Sequence, residues 1–212
     1  MSPIPARWDL TEDVGTRERL VRTAARLFVT QGYRGVGVNE ICAAADVQKG
    51  SFYHHFPSKS DLAIAAIDML EADLWELLDD AERAARGPVN KLRAMAEAVD
   101  GIQRRLQESY GRVIGCPIGN LAAELCTVDG PAGQHVANVL LRWEDRVAGH
   151  FRDAAEVGLL VRGADPGELA RLVIATMQGM VLLAKVSDLA VDAIPAAINR
   201  IVDSGLRKGR AA

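Results

Sequence analysis

The chain has 212 residues, 49% hydrophobic and only 5% aromatic, with a formal net charge of −3. That length suits one long domain or a small domain joined to a larger one, and a palette rich in Ala, Leu, Val and Arg favours helix over strand. No run of about 18 uncharged apolar residues occurs, and the opening MSPIPARWDLTEDVG has neither an apolar core nor a cleavage pattern, so a cytoplasmic protein with no membrane partner is expected.

Taken in chain order, residues 1–15 are polar and proline-containing, and are expected to form a flexible arm. A helix begins at Thr16, whose hydroxyl is placed to cap it; Leu20, Ala24, Leu27 and Phe28 recur at helical spacing, and Gly32 ends it. After the connector YRGVG, a second helix covers about Val38–Ala45, with Ile41 and the alanines expected inward. Asp46 stands where the chain turns sharply, and Asp tolerates the left-handed conformation better than most residues with a side chain. A third, short helix covers Lys49–His55 before Pro57.

Ser58, with Asp61 three residues on, opens a long fourth helix that runs to about Ala85, where RGP breaks it. At 1.5 Å per residue that is near ~40 Å, long enough to tie one domain to another. Further helices are predicted over Val89–Gln107, Ile118–Cys126, Ala132–Glu156, Pro166–Val186 and Asp192–Leu206, the fourth of these opened by Asp165, Pro166 and Glu168. No alternating run suggests a sheet, so the fold class is all-α.

The charge is uneven. Between Gly15 and Lys59 the seven cations Arg17, Arg19, Arg22, Arg26, Arg34, Lys49 and Lys59 face three acids, Glu18, Glu40 and Asp46, while the remainder is acidic. A basic head on an acidic body is the asymmetry that phosphate binding needs. The second and third helices, joined by a tight turn, make a helix-turn-helix, whose last helix enters a major groove. Lys49 lies at its start; Gly50 and Ser51 are small enough for close backbone approach; Tyr53, His54 and His55 supply donors for phosphate oxygens; Phe52 and Phe56 hold the helix to its core. Lys59 is placed to reach a further phosphate.

The segment TRERLVRTAARLFVTQGYRGVGVNEICAAADVQKGSFYHHFPSKSDL resembles the N-terminal domain of the TetR family of bacterial transcriptional repressors. The resemblance implies a helix-turn-helix domain over 16–57 and a larger helical domain over 58–212 that binds a small-molecule inducer and forms a homodimer through its last two helices, so that two heads read a palindromic double-stranded operator. By position it places Gly37, Asn39, Lys49, Gly50, Ser51, Tyr53, His54, His55 and Lys59 at the DNA. Departures are Gly37 where a hydroxyl cap is usual, Asp46 where the turn usually has glycine, and Gln48 where serine is usual.

Apolar positions of the last two helices, Leu169, Leu172, Val173, Leu183, Ile194, Ile198, Ile201 and Val202, are the expected dimer surface. Tyr110, Cys116, Asn120, Trp143, Phe151, Met177, Gln178, Met180 and Lys185 are the pocket candidates. GCPIGNLAAELC is similar to a segment of a TetR subgroup that includes electrophile- and acrylate-responsive repressors, and the resemblance extends to AKVS on the penultimate helix, which offers Lys185 as a partner for Cys116. Cys116 precedes a helix N-terminus, where a thiolate is favoured; a sensor thiol, a nearby reversible ligand site and a small residue fitting a corner all remain open. Cys42 and Cys126 are expected in the core. Three cysteines without zinc spacing argue against a metal or a disulfide framework, no cofactor motif is present, and no order or spacing makes an enzyme of Cys116 with His135 or His150.

Overall fold

The computed structural model describes residues 14–128, 130–186 and 193–207, so 1–13 of the expected arm lie outside the described residues. The described chain is helical almost throughout: α1 (Thr16–Gln31), α2 (Val38–Ala44), α3 (Lys49–His55), α4 (Lys59–Ala84), α5 (Pro88–Tyr110), α6 (Pro117–Leu125), α7 (Pro131–Glu156), α8 (Pro166–Val186) and α9 (Ala193–Ser204). The all-α expectation therefore holds.

Local chemistry explains most boundaries. Leu20, Ala24, Leu27 and Phe28 form the buried stripe of α1, and Gly32 ends it with φ +82° while its N–H bonds the Phe28 carbonyl at 3.0 Å. Thr16 falls inside the helix, so the expected hydroxyl cap is corrected: Gly15 holds the cap position and no side-chain bond caps it. In α2 only Ile41 and Cys42 are buried, and Ala43 and Ala44 are exposed, because a helix this short presents one narrow face to the core. Asp46 adopts φ +50°, the left-handed conformation expected of it. Ser58 Oγ accepts the Asp61 N–H at 3.2 Å and donates to Asp61 Oδ2 at 2.7 Å, closing the start of α4. Asp165 Oδ1 accepts the Glu168 N–H at 2.9 Å at the start of α8.

The chain divides into two compact units, Met1–Leu74 with Pro117–Val139, and Trp75–Cys116 with Leu140–Ala212. The division falls inside α4 and α7, and α6 packs on α1 within the first unit. The first unit buries Leu20, Phe28, Ile41, Phe52, Leu62 and Ile67 completely. In the second, α9 packs on both α5 and α8. The segment after α9 returns to the one after α7, where the Arg207 N–H bonds the Leu159 carbonyl and the Val161 N–H bonds the Gly205 carbonyl, each at 2.9 Å.

By length and composition α8 is apolar enough to cross a membrane, yet only 33% of that stretch is buried. One side of it, with Leu169, Val173, Met177 and Val181, is buried, while Leu172, Leu182, Leu183 and Val186 are exposed.

Candidate functional site

The α2–α3 pair presents its chemistry outward. Phe52 and Phe56 are buried, 6.2 Å apart between ring centroids, and anchor α3. With that face fixed, helical geometry turns the intervening side chains to solvent. Lys49, Gly50, Tyr53 and His54 are exposed, and Ser51 and His55 are half-buried. On α2, Gly37 and Asn39 are exposed as well. A Cβ added at Gly50 would meet nothing within 4 Å, so space there is open for a close approach. Tyr53 packs edge-on against Phe52 at 5.1 Å, which orients its ring while its rim faces out. The neighbouring His54 and His55 rings also meet edge to face, at 5.1 Å.

Lys59 lies differently from the rest. It is half-buried, its Nζ donates to the Tyr33 carbonyl at 2.6 Å and stands 4.0 Å over the Tyr33 ring. Burial lowers its pKa, opposed by the charge of Glu124. Burial likewise raises the pKa of the Tyr33 phenol. Other cations counted toward the basic head are also engaged within the protein. Arg22 is buried and paired with Glu18 at 2.6 Å, and Arg34 Nη2 donates to Thr127 Oγ1 at 3.1 Å. Arg17, counted in the sequence only as charge, is exposed and stacks 5.1 Å over Phe56, beside α3.

In the second unit a small cavity lies among Leu92, Met95, Val99, Trp143, Met177 and Ile198 and their apolar neighbours, with about 20 Å³ open to the centre of a water-sized sphere. That is room for about one water, whereas small-molecule sites run to roughly 300–1,000 Å³. Admitting a ligand of ordinary size requires the helices to part, and Met95 and Met177 are the adaptable side chains of the wall.

Of the pocket candidates, Trp143 and Met177 line this cavity. Phe151 is fully buried core. Tyr110, Asn120 and Met180 are half-buried. Gln178 Nε2 donates to the Cys116 Sγ at 3.4 Å. Lys185, the expected partner, is exposed on the last turn of α8, two turns beyond Gln178. Cys42 is buried as expected, and burial raises its pKa although the nearby Lys49 charge lowers it. Cys126 is exposed, which corrects its expected core placement: it follows the last turn of α6, past the buried Leu125.

The residues expected at the dimer surface differ in exposure within the protomer. Leu169, Val173, Ile194, Ile198 and Val202 are buried within the protomer, because α9 packs on α5 and α8 and consumes their apolar faces. Ile201 is half-buried, and Leu172 and Leu183 are exposed.

Sequence reading passed over two features. Asp100 and Gln103 lie buried on the α5 face that carries Val99 and Leu106. Asp100 Oδ2 accepts from Arg104 Nε at 2.7 Å, whereas Asp100 Oδ1 and Gln103 Oε1 are buried without a hydrogen-bond partner among the described residues. Two polar residues on an otherwise apolar face were the available signal. The second is an acid–base cluster on α4 and α7. Glu82 accepts from Arg146 Nε at 2.8 Å and stands 3.1 Å from His150 Nε2, close enough for an ion pair but off the angle of a hydrogen bond. Burial opposes the Arg146 charge, yet hydrogen bonds to Glu82 and Asp79 raise its pKa. His135 pairs with Asp68 at 2.6 Å in the first unit.

Comparison with known proteins agrees with this layout. Residues 20–66 match the model of bacterial regulatory proteins of the tetR family, and residues 88–198 match the model of a tetracyclin repressor-like C-terminal domain. The chain is 34% identical over 170 residues to the transcriptional regulator AcuR of Cereibacter sphaeroides, covering 79% of this chain and 75% of that protein. It is 30% identical over 175 residues to the HTH-type transcriptional repressor DhaR of Mycobacterium sp. strain GP1, covering 80% and 82%. A crystal structure of a regulatory protein TetR from Rhodobacter sphaeroides superposes with a TM-score of 0.75 at 30% identity, covering 90% of this chain and 99% of that one.

Proposed function

Because the chain belongs to the tetR family of bacterial regulatory proteins, we propose that it is a homodimeric repressor that holds a palindromic operator and is released when a small molecule enters its helical body. The observation that carries the reading is α3: Lys49, Tyr53 and His54 stand exposed over a buried Phe52 and Phe56. That is the side-chain division a groove-reading helix needs, one face spent on the core and the other on base edges and phosphates.

A second copy of the chain supplies the two-fold symmetry. The exposed apolar positions Leu172, Leu183 and Val186 recur along one side of α8, a stripe of the kind that marks an association surface. Closing two such stripes on each other sets the two heads to meet successive major grooves, roughly 34–36 Å apart. The inducer enters the cavity lined by Trp143 and Met177, and the effect passes along α4, whose chain runs unbroken from the head into the second unit. The relative's description as a repressor supports repression over activation. The site of action is the cytoplasm, where the DNA is.

Responsiveness to electrophiles through Cys116 is the finer form of this reading. It is supported by a half-buried thiol that receives the Gln178 amide at 3.4 Å. The test is a gel shift on the DNA upstream of the protein's own gene, with and without N-ethylmaleimide, across a salt series. Counting one phosphate each for the exposed Arg17 and Lys49 of each head, four phosphate contacts per dimer give a log–log salt slope of about −3.6. Affinity unmoved by salt would refute the reading.

A further inference from the structure

We infer that Glu124 is the positioning residue through which α6 sets the DNA-binding head: its carboxylate grips the α1–α2 turn, so that a displacement of α6 is delivered to the helix-turn-helix. The inference rests on the reading of the head as operator-binding, and it concerns a residue of the first unit remote from α3 in sequence.

Glu124 lies in the last turn of α6. Its Oε1 accepts the Tyr33 N–H at 3.2 Å and its Oε2 accepts the Arg34 N–H at 2.8 Å. Two oxygens of one carboxylate thus hold two consecutive backbone amides, the charge-assisted arrangement that fixes geometry as well as energy. The grip does not end there. The Tyr33 carbonyl accepts Lys59 Nζ at 2.6 Å, and Lys59 is the first residue of α4. Tyr33 is therefore tied through its N–H to α6 and through its carbonyl to α4. The Glu124 charge is felt by the Lys59 ammonium, which it helps keep protonated against burial. A further contact, Arg34 Nη2 to Thr127 Oγ1 at 3.1 Å, joins the same turn to the residues just past α6.

The turn is built to admit the carboxylate. Gly32 has φ +82°, and a Cβ there would fall 2.6 Å from Glu124 Oε1. Only a residue without a side chain gives both the conformation and the approach. At the opposite end, α6 starts at Pro117, directly after Cys116, whose thiol receives the Gln178 amide from α8. Glu124 follows Cys116 by eight positions, about 12 Å of helix. A change at Cys116 has a short, stiff element to act on, and that element ends on the backbone that leads into α2.

The experiment measures hydrogen exchange at the Tyr33 and Arg34 amides in the full-length protein, and binding to the DNA upstream of its own gene. A Cys126→Ser background removes the exposed thiol, so that N-ethylmaleimide is directed to Cys116; Cys42 is buried. Glu124→Gln keeps the size and removes the charge, and is expected to speed exchange at both amides roughly tenfold with its helical signal unchanged. Glu124→Asp, which keeps the charge on a shorter arm, is the second variant should Gln fail to fold. Labelling Cys116 in the background protein is expected to speed the same two amides and to weaken DNA binding at least tenfold. In the Glu124→Gln protein, labelled and unlabelled forms are expected to bind DNA alike. Labelling that releases DNA while leaving the two amides protected overturns the inference. So does a Glu124→Gln protein that responds to labelling as fully as its parent. If no form binds that DNA, the repressor reading fails, and the exchange at Tyr33 and Arg34 on labelling still decides whether α6 acts on the turn.

Discussion

Phe52 and Tyr53 are adjacent on α3 and should fail in opposite ways. Phe52 is 0% exposed, in contact with the Tyr53 ring at 5.1 Å and the Phe56 ring at 6.2 Å. Phe52→Ala removes a fully buried ring from a small head, a loss of about 3–5 kcal/mol. Tyr53 is 50% exposed, so Tyr53→Ala forfeits little beyond one edge-to-face contact, about 0.5–1.5 kcal/mol. At roughly 2–4 °C per kcal/mol for a chain of this size, the Phe52 variant should melt about 10 °C lower, or lose the head's transition altogether, while the Tyr53 variant should melt within a few degrees of the parent. In operator binding the ranking of causes changes. Tyr53→Ala should lose at least tenfold in affinity at an intact melting temperature, because what it gives up faces the DNA. Phe52→Ala should lose binding only in proportion to the head it unfolds. Scanning calorimetry with fluorescence anisotropy on the same samples checks both. A Tyr53→Ala protein as unstable as Phe52→Ala, or one that binds DNA like the parent, would refute the assignment of the two faces of α3.

Replacing Leu172 and Leu183 together by Glu, on the exposed side of α8, should convert the dimer to a folded monomer in light scattering, whereas Val202→Glu, fully buried, should unfold the protein instead. Thiol labelling followed by mass spectrometry should modify Cys126 first, Cys116 next and Cys42 last, since Cys126 is exposed, Cys116 half-buried, and Cys42 both buried and raised in pKa by that burial. Asp46→Gly should stabilise the head by about 1 kcal/mol, because Asp46 holds φ +50° at a strain glycine does not bear; Asp46→Val should destabilise it, and thermal melts separate the two.

What was legible in the sequence is what short-range chemistry decides. The ends of α1, α3, α4 and α8 follow from Gly32, Phe56–Pro57, the Ser58–Asp61 box and the Asp165 cap, each within a few residues of the boundary it sets. The outward row Lys49, Tyr53 and His54 followed from the inward pair Phe52 and Phe56. Contacts that join distant segments were not legible. Nothing near Tyr33 announces that its amide belongs to a carboxylate 91 positions away. Lys59 reads as a phosphate ligand, and nothing near it announces that its ammonium also bonds the Tyr33 carbonyl. For the apolar helices the ambiguity is one of sides. α8 is hydrophobic nearly all round, and periodicity cannot say which half its own protomer uses. Leu169 and Val173 went to the core and Leu172 and Leu183 were left outside; that choice was made by the packing of α9 against α5 and α8, which no single-helix pattern contains.

The same reasoning changes how the basic head should be understood. Seven cations against three acids looks like a charged surface waiting for phosphates. Folding engages several of them within the protein: a buried Arg22 with an exposed Glu18, an exposed Arg34 with Thr127, and a half-buried Lys59 with the Tyr33 carbonyl. Arg19 and Arg26 are half-buried, each with its Nε closed off from solvent. Of the exposed cations, Arg17 and Lys49 flank α3, Arg17 held over the Phe56 ring and Lys49 at the first turn. Sequence charge thus overstates the electrostatic grip of the head and understates how local it is. With few phosphates neutralised per head, non-specific affinity stays low, and a larger share of operator affinity must come from the contacts of Ser51, Tyr53 and His54, which depend on how α3 is held. A head that binds through placement more than through charge is one whose affinity a small displacement of its supports can abolish.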